Sequence, residues 1–452
     1  MDSLLDKVIR AGLLLAVFFT ALAHGAVEPW SVTIFEFIVI ALMLLWAIRA
    51  VAHGEFTIRI PMAALPIAAL IVIGLVQSIP IVDSAGRRAG LSMDVEATRR
   101  ALMVLFCLFV AFLITANFFV SRKQLRMLAT ILVIYGLMMS VFSILQSLTW
   151  NGRFYWLRLT SGSSVFGPFA NRNHFAGYIG LLVPLPVALI ITRGVRKETR
   201  IFYGFAAVLM GIAVIVSLSR GGMISLAASM IFMVLASAWL SRKSKLAAGN
   251  SSALLIRAGA IASIVFAIVI GAIWVGAEDV VNRASETLSH DTSRAMIWKD
   301  TWAMIRDNPL MGVGLGAFEV AYPIYSHTDG LAVVDYSHND YLQILADGGI
   351  LGGMVALWFL LLVFRALARS MKSKDLLFAG LAVGCGCGII FILVHSMFDF
   401  NLQIPSNALL FLFISAVVTN IDATVGKSNR ERALSPKHVE ITEQSPLQDA
   451  KS

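Results

Sequence analysis

Apolar runs of about twenty residues recur along almost the whole chain, and no other feature limits its fold as tightly. A run of that length crosses the hydrocarbon core of a bilayer as one α-helix. Inside lipid only helices and closed barrels satisfy every backbone N–H and C=O. A large soluble protein with buried helices would need polar helix faces, which these runs lack. The expectation is an all-α, polytopic membrane protein. Twelve spans are read at about 8–24, 30–48, 60–80, 101–120, 127–148, 173–192, 201–218, 222–240, 254–276, 348–366, 377–397 and 404–420. Composition agrees: only 14% of residues are charged and mean hydropathy is +0.81, whereas soluble domains carry about 25% charge.

The first run follows Lys7 and Arg10 and ends at Ala21-Leu22-Ala23, in the manner of a signal peptide. A second span follows almost at once, so a retained first helix is expected. With the N-terminus placed in the cytoplasm, the connections 121-SRKQLR-126, 193-RGVRKETR-200, 241-SRKSK-245 and 369-RSMKSK-374 all fall inside. All are basic, as the positive-inside rule requires. The opposite connections, 24-HGAVEP-29, 81–100 and the long 277–347 region, are mixed. The net charge of +9 therefore reflects topology and contact with anionic lipid. Nucleic acid is not an expected partner, because no basic groove with interleaved aromatics accompanies the charge.

Cys107, Cys385 and Cys387 all fall within spans. Cys385-Gly386-Cys387 is too tight for a metal-ligand pair, and they read as small helix-packing residues. Residues 1–420 form the expected membrane domain. Residues 421–452, polar and containing Pro436 and Pro446, read as a disordered cytoplasmic tail.

Three external regions interrupt the spans. In 81–100, Ser92 precedes a charged helical start and is placed to cap the fourth span. The loop 149-TWNGRFYWLRLTSGSSVFGPFANRNHF-175 carries Trp150, Phe154, Tyr155 and Trp156 beside Arg153 and Arg158. Such aromatics anchor a loop at headgroup level or stack on a sugar face. In 277–347, the segment 294-RAMIWKDTWAMIRDNP-309 reads as an interfacial helix roofing the bundle, capped by Asp291, Thr292 or Ser293 and stopped by Pro309. The turn 312-GVGLGAF-318 is neither a Walker loop nor a dinucleotide fingerprint, since no strand precedes it. Asp347-Gly348-Gly349 is expected to form a tight bend at the start of the tenth span.

Candidate site residues lie at these boundaries. Arg220, in 216-VSLSRGGMIS-225, sits between two spans with almost no loop. An arginine at a membrane boundary either snorkels or clamps an anion such as phosphate. Arg294 either makes a local ion pair with Asp291 or Asp300, or points into the same external cavity. Two fixed guanidinium forks suit a diphosphate. His338, in 335-DYSHNDYLQILADGG-349, suits removal of a proton from a sugar hydroxyl. Asp335 or Asp340 is placed to orient it. The plainer reading is a helix cap, with Ser337 or Asn339 capping and His338 facing solvent. His174, beside Asn171, Arg172 and Asn173, lies at the mouth of the sixth span, and His395 precedes Asp399 and Asn401. Nothing has tetrahedral zinc spacing, so no metal and no cofactor is expected.

The ordered set 171-NRNHFAGY-178, 219-SRGG-222, 294-RAMIW-298, 308-NPLMGVGLGAF-318 and 337-SHNDYLQILADGGILG-352 resembles the O-antigen ligase and polymerase superfamily of bacterial membrane glycosyltransferases, across about residues 160–370. The resemblance implies an all-helical fold related to the GT-C glycosyltransferases, and it implies that the enzyme inverts the donor anomeric centre and needs no metal. It also implies a polyprenyl-diphosphate-linked glycan as donor and a saccharide hydroxyl, on lipid A-core or on a growing glycan, as acceptor. The family's two functional arginines fall on Arg220 and Arg294, and its histidine on His338. Asp340, Asp335, Asn339, Asn173, His174 and Arg172 are possible supporting residues. The expected setting is the bacterial inner membrane, with both termini cytoplasmic and the active site on the periplasmic face. Ligase-type transfer is the reading taken. Polymerisation of repeat units is the alternative within the family, weakly favoured by 18-FFTALAHGAVEPW-30, and transport of lipid-linked saccharides is the alternative from another class.

Overall fold

A computed structural model describes residues 3–54, 57–82, 88–159, 165–243, 287–327 and 333–434, with scattered positions between 259 and 270. Helices dominate: α1 Leu4–Leu22, α2 Pro29–His53, α3 Ala64–Gln77, α4 Val95–Phe118, α5 Arg122–Leu148, α6 Arg172–Leu182, α7 Pro184–Ile191, α8 Arg200–Val216, α9 Arg220–Lys243, α10 Thr287–Asp307, the single turn α11 Phe318–Ala321, α12 Asp340–Ser370, α13 Leu376–His395 and α14 Pro405–Leu434. Two short antiparallel hairpins, β1 Pro80–Val82 with β2 Arg88–Gly90 and β3 Arg153–Phe154 with β4 Arg158–Leu159, lie in the connections.

Among the described residues, nine helices are long and apolar enough to cross a membrane. α6 and α7 form one of them, broken at Pro184, which cannot donate to the helix ladder. Of the twelve expected spans, the ninth, 254–276, lies almost wholly outside the described residues. The third is a helix of only 14 residues. The first is a 19-residue helix that carries Asp6, Lys7 and Arg10 in its opening turns. Ser3 and Asp6 close a reciprocal capping box there, and Ile9, Leu13 and Val17 bury its apolar face.

Small residues let the central helices approach closely. α13 packs against α6, α7 and α9, and a Cβ on its Gly388 would stand 2.5 Å from the Leu181 carbonyl oxygen. Cys385 and Cys387 are buried on this helix, as their small size predicts. α14 packs against α4 and α12, and α10 lies on α12.

Several boundaries differ from the sequence reading. Asp94, not Ser92, caps α4, accepting from the backbone N–H groups of Glu96 and Ala97. Ser92 is buried and bonds the Thr98 hydroxyl at 2.8 Å. The roof helix begins at Thr287, so residues 291–293 lie inside it rather than at its N-terminus. α12 begins at Asp340, and the expected bend is a kink within it at Gly349, with φ 62° and ψ −162°. The glycine turn 312–316 buttresses that kink. Val313 N–H donates to the Ala346 carbonyl at 2.8 Å and Gly314 N–H to the Asp347 carbonyl at 3.1 Å. α14 runs on to Leu434, fourteen residues into the expected tail, and 435–452 lie outside the described residues.

Candidate active site

At one end of the bundle, the corner joining α13 to α14 (residues 396–404) supplies a buried carboxylate, Asp399. The start of α6 reaches it first. Asn171 caps that helix by accepting from Asn173 N–H at 2.8 Å, and Asn173 Nδ2 donates to Asp399 Oδ2 at 2.5 Å. His174 follows, buried, with Nε2 4.0 Å from Asp399 Oδ1. Phe400 N–H donates to Asp399 Oδ1 at 2.9 Å. Arg172, the first residue of α6, is half-buried beside this group.

The segment entering α12 brings His338 to the same carboxylate. His338 Nδ1 lies 3.3 Å from Asp399 Oδ1. His338 has φ 53°, the left-handed region that is uncommon for a residue with a Cβ. Its neighbours over-determine that conformation. Ser337 N–H donates to Gln343 Oε1 at 2.7 Å, the Ser337 hydroxyl to the Asn339 carbonyl at 2.8 Å, and Asp340 N–H to the Ser396 carbonyl at 2.9 Å. Trp298, one turn beyond Arg294 on α10, donates from Nε1 to the Ser337 carbonyl at 3.0 Å. A backbone held this firmly in a sparsely populated region is a mark of a functional site.

The carboxylate that meets His338 is Asp399, not Asp340 or Asp335. Asp340 instead accepts from the Ser396 hydroxyl at 2.6 Å and from Leu402 N–H, locking the corner that carries Asp399. Asp335 is exposed. Asn339 caps α12, as the plainer sequence reading expected, accepting from Tyr341 and Leu342 N–H. His338 does not simply face solvent, however: its side chain is 31% exposed while Asp399 beneath it is 1% exposed. Phe400 packs edge-on to both His174 and His338, with ring centroids at 4.8 and 4.9 Å, and Tyr336 stacks on its other side at 4.4 Å.

Burial alone would raise the Asp399 pKa. The hydrogen bond from His338 and the charges of His174, His338 and Arg294 outweigh it and hold the carboxyl well below the usual range. Asp399 is thus a fixed negative charge, and Arg294 lies within its electrostatic reach. Asp300, weighed above as a partner for Arg294, is engaged elsewhere: His327 Nδ1 lies 2.6 Å from it and the Tyr322 hydroxyl donates to it at 3.0 Å. The Asp291 side chain lies outside the described residues.

Arg220 begins α9 and is exposed. Its neighbours abut the same corner. Ser219 Oγ lies 3.4 Å from His395 Nε2, and a Cβ on Gly221 would stand 2.7 Å from His395 Cδ2 and 3.1 Å from Phe398 Cβ. Any larger residue there would push α9, and Arg220 with it, off the corner. His174 Nε2, His395 Nδ1 and Asn401 Nδ2 are buried without a hydrogen-bond partner among the described residues. Such groups concentrate at sites that hold something else.

Chemically, an imidazole held through Nδ1 by a carboxylate turns Nε2 toward a substrate proton. Arg294 lies within electrostatic reach of the same carboxylate, and Arg220 begins the helix whose Gly221 abuts His395 and Phe398. Among the described residues, no group of three or more His, Cys, Asp or Glu side chains is arranged to hold a metal ion. Sequence reading singled out His338, Arg220, Arg294, Asn173 and His174 but gave Asp399 no role. Its signal was the polar run 395-HSMFDFN-401 between two apolar spans.

Behind the Tyr336–Phe400 pair lies a groove of about 1120 Å³ between α2, α3, α4, α12 and α14. Its walls are mainly apolar, including Leu70, Val104, Leu360 and Phe411, and Tyr336, Asp340 and Ser396 line it too.

Residues 205–357, about a third of the chain, match the model of a family described as O-antigen ligase. That stretch contains Arg220, Arg294 and His338, whereas Asn173, His174 and Asp399 fall outside it. No curated protein matches the chain.

Proposed function

Because the chain carries an O-antigen ligase family domain over residues 205–357, we propose that this multi-pass membrane protein transfers a glycan from a polyprenyl diphosphate carrier, of the undecaprenyl type, to a saccharide hydroxyl. The observation that carries the proposal is the His338–Asp399 pair, with Arg294 in reach of the same carboxylate and Arg220 on the adjoining corner. His338 takes the proton of the acceptor hydroxyl as its oxygen attacks C1 of the donor sugar. The C1–O bond to the diphosphate breaks, and its electron pair leaves with the carrier. Arg220 and Arg294 bind that diphosphate and stabilise the charge it gains. Asp399 orients His338 and stabilises its protonated form. Attack opposite the leaving group inverts the anomeric centre, and the arginines provide the neutralisation without a metal.

The apolar groove suits the polyprenyl chain, leaving the glycan outside the bilayer. The active site then faces the periplasm, both termini are cytoplasmic and the protein sits in the inner membrane, an orientation supported by the basic connections at the opposite end. A fold related to the GT-C enzymes is part of the same reading. The acceptor is lipid A-core for a ligase and a growing glycan for a polymerase.

Proteoliposomes loaded with a polyprenyl-diphosphate-linked saccharide and an acceptor test the reaction class. Transfer releases polyprenyl diphosphate and creates a new glycosidic bond. Movement of intact lipid-linked saccharide with no new bond would make the protein a transporter. Deleting the gene then separates the two acceptors. Long polymer left on the carrier with unmodified lipid A-core supports the ligase, whereas single repeats on the carrier point to a polymerase with the same donor site.

A further inference from the structure

At the far end of the bundle, a second cavity of about 480 Å³ opens among the start of α1, the end of α2, residues 57–59 and the α4–α5 corner. α14 connects the two ends. Its Asn407 bonds the His174 carbonyl beside the active site, and its Asn420 accepts from Arg59 in this cavity. The thirteen helical steps from one to the other span about 20 Å. The cavity is lined by Arg10, Arg49 and Arg59 and by one carboxylate, Asp6, so three positive charges face one negative charge.

The arginines are held in place. Arg59 donates from Nη1 to Asn420 Oδ1 and from Nη2 to the Thr419 carbonyl, each at 3.0 Å. Its backbone is clamped by Asn117, which accepts from its N–H and donates to its carbonyl, each at 2.9 Å. Arg49 donates from Nε to Asp6 and stands over the Phe118 ring at 5.6 Å. Arg10 is buried beside them. A guanidinium has five N–H donors, so these bonds fix the planes of Arg49 and Arg59 without exhausting their donors. This is the preorganised fork geometry that binds phosphate.

The surroundings identify the phosphate as a lipid's. Trp46, Ile58, Phe118 and Val120 give the cavity apolar walls beside its charges. Ile58 and the neighbouring Ile60 and Met62 are exposed apolar side chains, available to contact acyl chains. This end also carries Arg122, Lys123 and Arg126 at the start of α5, and Lys372 and Lys374 between α12 and α13. A face that is basic in its short connections meets the leaflet rich in anionic lipid. We propose that Arg10, Arg49 and Arg59 form a headgroup site for an anionic phospholipid in the leaflet opposite the active site.

The test uses the full chain purified in detergent and read by native mass spectrometry. Phosphatidylglycerol is compared with phosphatidylethanolamine, and inorganic phosphate is added as competitor. Preferential retention of phosphatidylglycerol, undisturbed by millimolar phosphate, is expected. Arg49→Gln should lower that retention about tenfold. Because Arg59 also ties the 57–63 connection to α14, the unaltered chain is probed in parallel with a photoactivatable phosphatidylglycerol. Its adducts should map to peptides covering 3–10, 46–59 and 117–124. Equal retention of the two lipids, or adducts confined to other helices, would overturn the proposal. Displacement by inorganic phosphate would also overturn it, showing a soluble-anion site instead.

Discussion

At the scale of single residues, Asp399 governs the site. It is buried, accepts from Asn173, His338 and the Phe400 amide, and is charged under all ordinary conditions. Replacing it by asparagine keeps the volume and removes the charge. Asp399→Asn should lower kcat about 100-fold while KM for donor moves little, because the lost interaction belongs to the transition state. A raised KM with kcat unchanged would show a binding role instead. The carboxyl's pKa is depressed below 3.8, so its contribution to stability is present above the unfolded value and is lost only as pH falls through the folded one. The Tm difference between the native chain and Asp399→Asn should therefore not shrink as pH is lowered from about 7 to about 5. A difference that shrinks on acidification within that window would mean that Asp399 titrates there. Arg220→Lys and Arg294→Lys should each reduce turnover about 100-fold, since a point charge does not reproduce the bidentate fork. Wild-type rates in both variants would remove the diphosphate clamp from the account. His338 and the arginines were legible because polar residues at the mouths of apolar spans stand out. Asp399 carried no such weight, because a single aspartate in a short corner does not reveal that α6 and α12 both aim at it.

At the scale of elements, the kink in α12 sets where His338 lies relative to the membrane part of that helix. Gly349 adopts φ 62° and ψ −162°, a region essentially reserved for glycine, and a Cβ there would stand 2.4 Å from the Leu310 carbonyl carbon. Gly349→Ala should cost about 1–3 kcal/mol from strain alone and more once the clash is included. Thermal unfolding in detergent would show it as a lowered Tm, and an unchanged Tm would mean that the kink is not built as described. The helices themselves were readable from hydropathy, because lipid demands long uninterrupted apolar runs. Their ends were less readable. The start of α12 lies eight residues before the expected span because Asp340, Gln343 and Asp347, which interrupt the apolar pattern, are carried on the same helix. The 312–316 segment read only as a glycine-rich turn, yet its N–H groups bond the backbone of the kink. That pairing joins segments more than thirty residues apart and leaves no trace in local pattern.

At the scale of the whole molecule, the His338–Asp399 cluster lies at one end of the bundle, an apolar groove runs alongside, and a basic cavity opens at the other end. Ala356 lines the groove. Ala356→Trp should raise KM for a long-chain polyprenyl donor about tenfold with kcat nearly unchanged, and a short-chain donor should be affected less. Equal effects on both donors would remove the carrier chain from the groove. The account's central claim is that the His338–Asp399 pair performs proton transfer in glycan transfer. The most direct measurement is the single-turnover rate of polyprenyl diphosphate release by the purified chain and by His338→Ala, with folded yield and Tm checked for both. The account predicts a loss of about 100-fold or more in a variant that remains folded. A folded His338→Ala protein that releases the carrier at the native rate would contradict it.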